Sequence, residues 1–431
     1  MTDLHTPYDM IGIGFGPSNL ALAIALQECA APLNALFLEA KPEFSWHPGM
    51  LLDNSDMQVS FIKDLVTLRN PASPFSFLSY LHAKGRIERF VNRKTFFPSR
   101  HEFNDYFTWA ADQMQDVCAY DQRVEAVAPV QGSSGTVELL DVVTTDASGR
   151  ESRRRTKDLV LAIGGAPNIP EVFADLRRNS AVLHSSSYVT QCKPKLASAE
   201  HPLRIAVIGS GQSGAEIFWD LVNDPAQPNV DLIFRGQALK PSDDSPFVNE
   251  IFDSAFTSDM YNRPKAVREA FLTEYAHTNY AVVDGDLIDQ IYGVFYEQDV
   301  TGTEPHKLWR NTQVHSALVV DDGVELTLSQ RGDMSLQRYD LVILATGYTR
   351  RLGDTILSDL APWLTADEAE RSYQLPTREG FQPRLFLQGY CEATHGLSDT
   401  LLSILPRRAE EITHSLISGL TPMPKALTAA E

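Results

Sequence analysis

The sequence has few cysteines and no long uninterrupted apolar stretch. Four cysteines occur in 431 residues, and none forms a C-x-x-C pair, which argues against a dithiol redox centre or a zinc knuckle. "LALAIAL" is far shorter than the ~18 residues of a membrane-spanning helix. The N-terminal "MTDLHTPYD" has no basic region, so no secretory signal is expected. We therefore expect a cytoplasmic protein with free thiols and no membrane partner.

Positive charge is also in short supply. The chain has 37 lysines and arginines against 56 aspartates and glutamates, a formal net charge of −19. This balance argues against nucleic acid and anionic membranes as partners. It is compatible with a cationic substrate, although most acidic proteins are acidic only for solubility. The length indicates two or three domains.

Two glycine-rich turns stand out among short apolar strands that alternate with helical stretches. The first, "DMIGIGFGPSNLALAIAL", places Gly12, Gly14 and Gly16 before Pro17, which suits the first turn of a helix. The second, "IAVIGSGQSGAEIF", has the full G-x-G-x-x-G spacing at Gly209, Gly211 and Gly214. Such a turn brings backbone N–H groups and a helix N-terminus to the phosphates of a dinucleotide. One motif alone is often only a tight turn, but two in strand–helix context predict two dinucleotide sites.

The residue that ends the next strand distinguishes the two sites. Glu39 follows Gly12 by 27 residues, where an acid can bind ribose hydroxyls, and Arg235 follows Gly209 by 26 residues, where a base suits a 2′-phosphate. Either residue is also compatible with an ordinary solvated surface charge. Together they predict a flavoprotein that binds FAD at the first turn and is reduced by NADPH bound at the second.

The predicted fold class is α/β, with two Rossmann-like dinucleotide-binding domains plus a smaller, mainly helical substrate-binding region. The FAD domain is expected at 1–198, completed by 345–431, with a C-terminal helix that packs back on it. The NADPH domain is expected at 199–240 and 300–344, and the helical region at 241–299. The strand ends "LAIGGAP" and "LATGY" are expected where the chain crosses between the domains near the cofactors.

Longer stretches are more specific than the glycine motifs. The chain closely resembles the bacterial L-ornithine N5-monooxygenases of hydroxamate siderophore biosynthesis, from residue 9 to about 412. The stretches that carry this resemblance are "GIGFGPSNLALAIALQE", "FSWHPGMLL", "QVSFIKDLVTLRNPASPFSFLSYLH", "IGSGQSGAE", "LKPSDDSPFVNEIF", "HTNYAVVD", "DLIDQIYGVFYEQ", "LVILATGY" and "HGLSDTLLSILPRRAEEI".

The resemblance implies a reaction in which NADPH reduces FAD and O₂ then forms a C4a-hydroperoxyflavin. The neutral terminal amine of L-ornithine attacks this peroxide, which gives an N-hydroxyamine and water without any metal. The protein must hold the amine close to the peroxide and exclude water. The resemblance also implies a homo-oligomer, specifically a homotetramer.

The resemblance further implies roles for particular residues, all of which have ordinary alternatives as surface, turn or loop residues. A lysine and an asparagine would hold the α-carboxylate while other polar groups orient the α-amine. The implied substrate-binding residues are Lys63, Asn249, Asn279 and Ser398. The implied catalytic residues are Gln58, Lys63, Asn279 and Gln212. The predicted cofactor-binding residues are Gly12, Gly14, Gly16, Pro17, Glu39, Trp46, His47, Gln58, Gly209, Gly211, Gln212, Ser213, Gly214, Arg235, Tyr348 and Leu401.

Alternatives remain open at the substrate. A diamine N-monooxygenase acting on putrescine or cadaverine would share the flavin machinery, but it would leave Lys63 without an anion. An L-lysine N6-monooxygenase is the third possibility. The sequence departs from the family at Ala281, where serine is common, and at Glu39, where aspartate is usual. From other classes, the missing cysteine pair excludes a disulfide reductase, and a flavin-binding regulator would show no amine-stimulated NADPH oxidation.

Overall fold

A seven-stranded mixed sheet forms the core of the first domain. The computed structural model describes residues 6–418, apart from 31, 54, 322 and 353–355. The strands of this sheet are β1 (Tyr8–Ile13), β2 (Ala35–Leu38), β3 (Cys118–Ala119), β4 (Arg123–Gln131), β5 (Val137–Thr145), β6 (Glu151–Leu161) and β17 (Leu385–Leu387). The order is β3-β2-β1-β6-β5-β4, with β17 alongside β6. β1 runs parallel to β2 and β6, as the first predicted βαβ unit requires.

Helix α1 (Pro17–Glu28) follows β1 and is apolar on all sides. Every residue from 19 to 26 is buried, which is the behaviour of a helix enclosed on both faces. The C-terminal helix α12 (Leu405–Ser418) covers it, so the prediction that this helix packs back on the first domain is confirmed. Residues 1–5 and 419–431 of the predicted FAD domain lie outside the described residues.

Three further helices follow the first βαβ unit and were not predicted individually: α2 (Phe77–Ala83), α3 (Ile87–Asn92) and α4 (Arg100–Asp112). Ser76 and Ser99 start α2 and α4 as N-caps, their hydroxyls accepting hydrogen bonds from backbone N–H groups three residues on. Phe77 and Phe103 stack between these helices with ring centroids 5.5 Å apart. This aromatic core fixes α4, which carries Arg100 toward the second domain.

A second, five-stranded parallel sheet forms the other dinucleotide-binding domain. Its strands are β8 (Val182–His184), β9 (Arg204–Ile208), β10 (Asn229–Ile233), β11 (Lys307–Trp309) and β15 (Leu341–Leu344), in the order β11-β10-β9-β15-β8. Helices α5 (Lys193–Ala197) and α6 (Gln212–Val222) belong to this domain. The expected boundary at residue 198 is therefore too late. β8 pairs with β15, and the buried Tyr188, Cys192 and Leu196 pack in the core of this sheet.

The remaining strands form two small antiparallel sheets. One consists of β12 (Thr312–Val320), β13 (Gly323–Gln330) and β14 (Asp333–Tyr339), and the other of β7 (Ala166–Pro167) and β16 (Tyr348–Thr349). The second small sheet joins the "LAIGGAP" and "LATGY" segments through the pairing of Tyr348 with Pro167. The Asn168 side-chain amide also donates to the Thr346 carbonyl (3.0 Å). The two crossings between the large sheets therefore lie side by side.

The segment 241–299 is mainly helical, as predicted, with α7 (Pro246–Asn249), α8 (Ser254–Asn262), α9 (Lys265–Tyr275) and α10 (Gly285–Thr301). It contacts both large domains. Phe295 of α10 stacks on Phe218 of α6 at 5.5 Å, while α8 and α9 contact α11 (Glu392–His395) in the C-terminal segment. Within the described ranges, no helix is both long enough and apolar enough to cross a membrane.

Candidate active site

The first glycine turn lies between β1 and α1. Gly14 has φ +82°, and a Cβ there would lie 2.6 Å from the Ala162 carbonyl oxygen, so glycine is required. A Cβ on Gly16 would meet nothing within 4 Å, so this part of the turn faces open space. Gly16 is the N-cap of α1 and gives no side-chain cap. The first N–H groups of the helix are therefore free to bind an anion such as a diphosphate.

Glu39 stands beside this turn at the end of β2. Its carboxylate accepts hydrogen bonds from the backbone N–H groups of Phe15 (2.7 Å) and Lys41 (3.0 Å). A carboxylate has about four acceptor positions, so two remain for ribose hydroxyls. The position of Glu39 fits the role expected from the sequence.

A buried polar network, here called the C-terminal brace, holds the first turn from behind. Asn19 of α1 donates to the Gly14 carbonyl (2.6 Å) and accepts from the Gln388 amide (2.8 Å). Arg408 of α12 donates to Gln388 (3.2 Å) and pairs with Asp399 (2.9 Å), with both charged side chains almost completely buried. This brace could not be predicted from the sequence, because Asn19 lies 369 residues before Gln388.

The second glycine turn lies between β9 and α6 and opens onto a large cavity. Gly209 has φ +143°, and a Cβ there would lie 2.2 Å from the Ala345 carbonyl oxygen. Gly211 is the N-cap of α6 and supplies no side-chain cap, so this helix end can also bind an anion. A Cβ on Gly214 would lie 2.8 Å from the Gly209 carbonyl oxygen, so the helix can approach the turn only with glycine there.

The cavity has a volume of about 2030 Å³. A typical small-molecule pocket has ~300–1,000 Å³, so this cavity has room for a dinucleotide and a second small molecule. Arg235 lies exposed on its wall, on the side of the second turn, as predicted. Lys240, which the sequence reasoning missed, is a second exposed cation on the same wall. The predicted residues that line the cavity are Gln58, Lys63, Gly209, Gly211, Gln212, Ser213, Arg235, Asn249, Asn279, Tyr348 and Leu401.

Lys63, Asn249 and Asn279 come from three different segments and meet at this cavity. Lys63 is partly buried as a residue, and its ammonium makes no hydrogen bond or ion pair with any other residue that the structure describes. Asn249, the last residue of α7, donates to the Asp244 carbonyl (2.7 Å) and keeps its side-chain oxygen for a ligand. Ala281 follows Asn279 closely and has φ +57°, which is strained for a residue with a Cβ.

Gln58 and Gln212 face each other across Asp284. Both side-chain amides donate to the Asp284 carboxylate, at 3.1 and 2.8 Å. Gln212 also donates to Glu216 (2.9 Å), which forms a two-pronged ion pair with Arg100 (2.7 and 2.8 Å). Burial raises the pKa of the Glu216 carboxyl, although the charge of Arg100 opposes this shift.

Trp46, His47 and Tyr348 form an aromatic cluster, of which Tyr348 lines the cavity. The His47 ring lies 5.3 Å from the Trp46 ring and 6.0 Å from the Tyr348 ring, measured between centroids. Surrounding protein and the cations Lys41, Arg100 and Arg350 lower the pKa of His47 to about 4. The ring is therefore neutral at pH 7, even though part of it is open to solvent.

Ser398 does not reach the cavity. It is 1% exposed and lies in a short turn, Leu397–Thr400, next to the Asp399 of the C-terminal brace. Ser398 is thus not among the residues that line the cavity. Among the residues that the structure describes, no group of three or more histidines, cysteines, aspartates or glutamates could hold a metal ion.

The comparisons with known proteins agree on one family. Residues 6–350 match the family model described as L-lysine 6-monooxygenase/L-ornithine 5-monooxygenase. An L-ornithine N(5)-monooxygenase of Pseudomonas aeruginosa is 47% identical over 96% of this chain and 95% of its own length.

Two solved structures superimpose on most of the chain. The ornithine hydroxylase PvdA from Pseudomonas aeruginosa has a TM-score of 0.92 and 47% identity, covering 96% of this chain and all of that one. The Kutzneria sp. 744 ornithine N-hydroxylase, described with reduced FAD, NADP⁺ and L-ornithine, has a TM-score of 0.91 and 34% identity over the same shares. This chain belongs to the L-lysine 6-monooxygenase/L-ornithine 5-monooxygenase family.

Proposed function

We propose that this protein hydroxylates the terminal nitrogen of L-ornithine for hydroxamate siderophore biosynthesis, with FAD, NADPH and O₂ as co-reactants. The observation that carries the proposal is the partly buried Lys63 on the wall of the cavity that the second glycine turn also lines, with an ammonium that has no partner among the described residues. An ammonium in this position needs an anion, and the α-carboxylate of an amino acid supplies one. The names of the relatives, which are ornithine hydroxylases, support the same substrate.

FAD is assigned to the first turn, with its diphosphate at the N-terminus of α1 and a ribose at Glu39. NADPH is assigned to the second turn, with its 2′-phosphate at Arg235. When bound, FAD reduced by NADPH supplies an activated oxygen atom for transfer to the substrate nitrogen. The Kutzneria relative, described with FAD, NADP⁺ and ornithine, supports this pair of cofactors.

The chain's own contribution is to hold the substrate and exclude water. Lys63 binds the α-carboxylate, while Asn249 and Asn279 orient the α-amine and the carboxylate, so that the side-chain amine extends toward the flavin side. Gln58 and Gln212 line the same cavity and are assigned to the reacting end. A free alkylamine has a pKa near ~10.4, and only its neutral form has the lone pair that the reaction needs. Proximity must therefore compensate for the small neutral fraction.

The test is product formation with NADPH, FAD and a panel of L-ornithine, L-lysine, putrescine and cadaverine. We expect an N-hydroxylated product from ornithine at a kcat/KM well above that of the other three amines. Preference for putrescine or cadaverine would assign the enzyme to the diamine class, and preference for lysine would assign it to the lysine class. NADPH oxidation without any hydroxylamine from these amines would contradict the proposal.

We further propose that the protein acts as a homo-oligomer, specifically a homotetramer, in the cytoplasm. Tyr292, Tyr296 and Val300 are more than 60% exposed and lie along one face of α10. Leu318, Met334 and Leu336 form a second exposed apolar group on the outer face of the β12-β13-β14 sheet. Exposed apolar side chains of this kind are often found at interfaces between subunits. All four cysteines are free thiols, as in a reducing compartment. Light scattering of the purified protein gives the oligomeric state.

A further inference from the structure

The Asp284 side chain has unusual hydrogen-bond partners for a residue that begins a helix. It is the N-cap of α10, where an aspartate side chain normally accepts a hydrogen bond from an N–H of the first turn. The Asp284 side chain makes no such bond. Its two carboxylate oxygens accept instead from Gln58 (3.1 Å) and Gln212 (2.8 Å). The carboxylate therefore binds side chains of two other segments and not the backbone of its own helix.

The two glutamines come from different domains. Gln58 lies in a loop of the first domain, and Gln212 is the first residue of α6 in the second domain. Both line the cavity, as does Asp284 itself. A single carboxylate thus connects the two halves of the molecule at the place where their cofactors must meet.

The orientation of the Gln212 amide is fixed on every side. Its oxygen accepts from the Asp284 backbone N–H (2.9 Å), while its nitrogen donates to Asp284 and to Glu216. A primary amide has two N–H groups, and both are occupied. Gln212 therefore presents only an acceptor, the second lone pair of its oxygen, to a ligand in the cavity.

Arg100 closes the network on the other side. It belongs to α4 of the first domain and holds Glu216 of α6 with two hydrogen bonds. The N-terminal turn of α6 is consequently attached to the first domain twice, once through Glu216 and once through Asp284 and Gln58. Networks of hydrogen bonds and ion pairs rigidify the groups that they contain.

We infer that Asp284 is a positioning residue: it orients the Gln58 and Gln212 amides across the domain boundary, so that the nicotinamide end of NADP(H) and the amine substrate meet a preorganised wall. The inference rests on the proposed function for the identity of these ligands. The observed geometry, in which one carboxylate holds two amides, does not depend on which amine is hydroxylated. A residue that acted only as a helix cap would affect stability and leave ligand recognition unchanged.

The experiment compares Asp284→Ala and Asp284→Asn with the control Asp286→Asn, an exposed acid two residues later in the first turn of α10. Asparagine caps helices as well as aspartate does, but its NH₂ group cannot accept from a glutamine amide. We expect both Asp284 variants to raise the dissociation constant of NADP⁺ for the oxidised, FAD-loaded protein by about five- to tenfold, the size of a typical lost hydrogen bond. The share of oxidised NADPH that yields hydroxylated amine should fall by about half or more, with melting temperatures close to wild type.

A double-mutant cycle separates positioning from a general structural effect. If Asp284 acts through Gln212, then Asp284→Ala with Gln212→Ala should weaken NADP⁺ binding no more than the worse single variant does. Additive losses, wild-type behaviour of Asp284→Asn, or an equal effect of Asp286→Asn would each overturn the inference. NADP⁺ binding is measured without amine, so failure of wild-type protein to hydroxylate ornithine would count against the proposed function alone.

Discussion

The two glycine turns share a backbone design but are supported in different ways. The first is braced inside its own domain, through Asn19, Gln388 and the buried Arg408–Asp399 pair. The second faces the open cavity, and its helix α6 is attached to the other domain through Gln212 and Glu216. A turn braced internally suits a cofactor that stays bound, and a turn held across a cavity suits a ligand that arrives and leaves.

The largest effect is expected for Arg408→Met. The substitution leaves the Asp399 carboxylate buried without its cation, and breaking such a pair costs about 3–5 kcal/mol. We expect a marked fall in melting temperature and loss of FAD during purification, because Gln388 and Asn19 lose their support behind the first turn. The measurements are thermal unfolding and the flavin-to-protein ratio.

Arg407→Met is the matched control for this experiment, since Arg407 is the adjacent residue and pairs with Glu410 at the surface. It should change stability by less than about 1 kcal/mol. NADP⁺ affinity of the FAD-reconstituted Arg408→Met protein should change little. If NADP⁺ and FAD binding weakened equally, the brace would not be specific to the first turn.

The second prediction concerns Lys63→Ala. Loss of the proposed contact with the α-carboxylate should cost about 1.5–3 kcal/mol, or about ten- to a hundredfold in the KM for ornithine. Because the contact is remote from the reacting nitrogen, kcat should fall less than KM rises. Steady-state kinetics with ornithine and putrescine measure this effect, and putrescine, which has no carboxylate, serves as the internal control. An unchanged KM for ornithine would remove Lys63 from the substrate site.

Features of the site that follow from a local sequence pattern could be predicted, and features that depend on contacts between distant parts of the chain could not. The glycine turns could be found because the spacing of their glycines between a strand and a helix is a local sequence pattern. The contacts that require glycine at Gly14 and Gly209 come from Ala162 and Ala345, which are distant in the chain. The brace could not be found, since the bond between Asn19 and Gln388 joins residues 369 positions apart. Ser398 was expected at the substrate, but its turn folds against the brace and buries it.

The domain division shows the same limit. The strand and helix patterns of both βαβ units predicted the two sheets, yet the boundary at residue 198 was wrong. The short strand β8 pairs with β15, whose residues lie more than 150 positions later in the chain. A three-residue strand carries too little periodicity to reveal which sheet it joins. The role of Asp284 was hidden for a related reason, because an aspartate before a helix is expected to be an ordinary cap.

The third prediction concerns Arg235→Ala at the second turn. If Arg235 binds the 2′-phosphate, its loss removes a charge-assisted contact and should raise the KM for NADPH by about tenfold. Lys240 on the same wall should limit the loss. The KM for NADH, which has no 2′-phosphate, should hardly move, and FAD content should stay at the wild-type level. Equal changes for both nucleotides would place the phosphate contact elsewhere.

The smallest effect is the loss of folding stability at low pH that we expect from His395, which packs beside the brace. Its ring is fully buried, stacks on Tyr373 at 4.2 Å and contacts the Arg371 carbonyl. Burial lowers the pKa of His395 to about 4, below the ~6.5 of an exposed histidine. The unfolded chain therefore binds more protons between about pH 6.5 and 4. The resulting stability is complete above pH 6.5 and decreases as the pH falls through this window.

At pH 5.5 the titration of His395 lowers the free energy of unfolding by about 1 kcal/mol. His395→Gln removes the titrating group, so the fall in melting temperature from pH 7 to 5.5 should be smaller than in wild type by roughly 1–2 °C. His82→Gln, which replaces an exposed histidine of the same domain, should leave the fall unchanged. If His395→Gln showed the full wild-type fall, the acid sensitivity of the first domain would come from groups other than the histidine beside the brace.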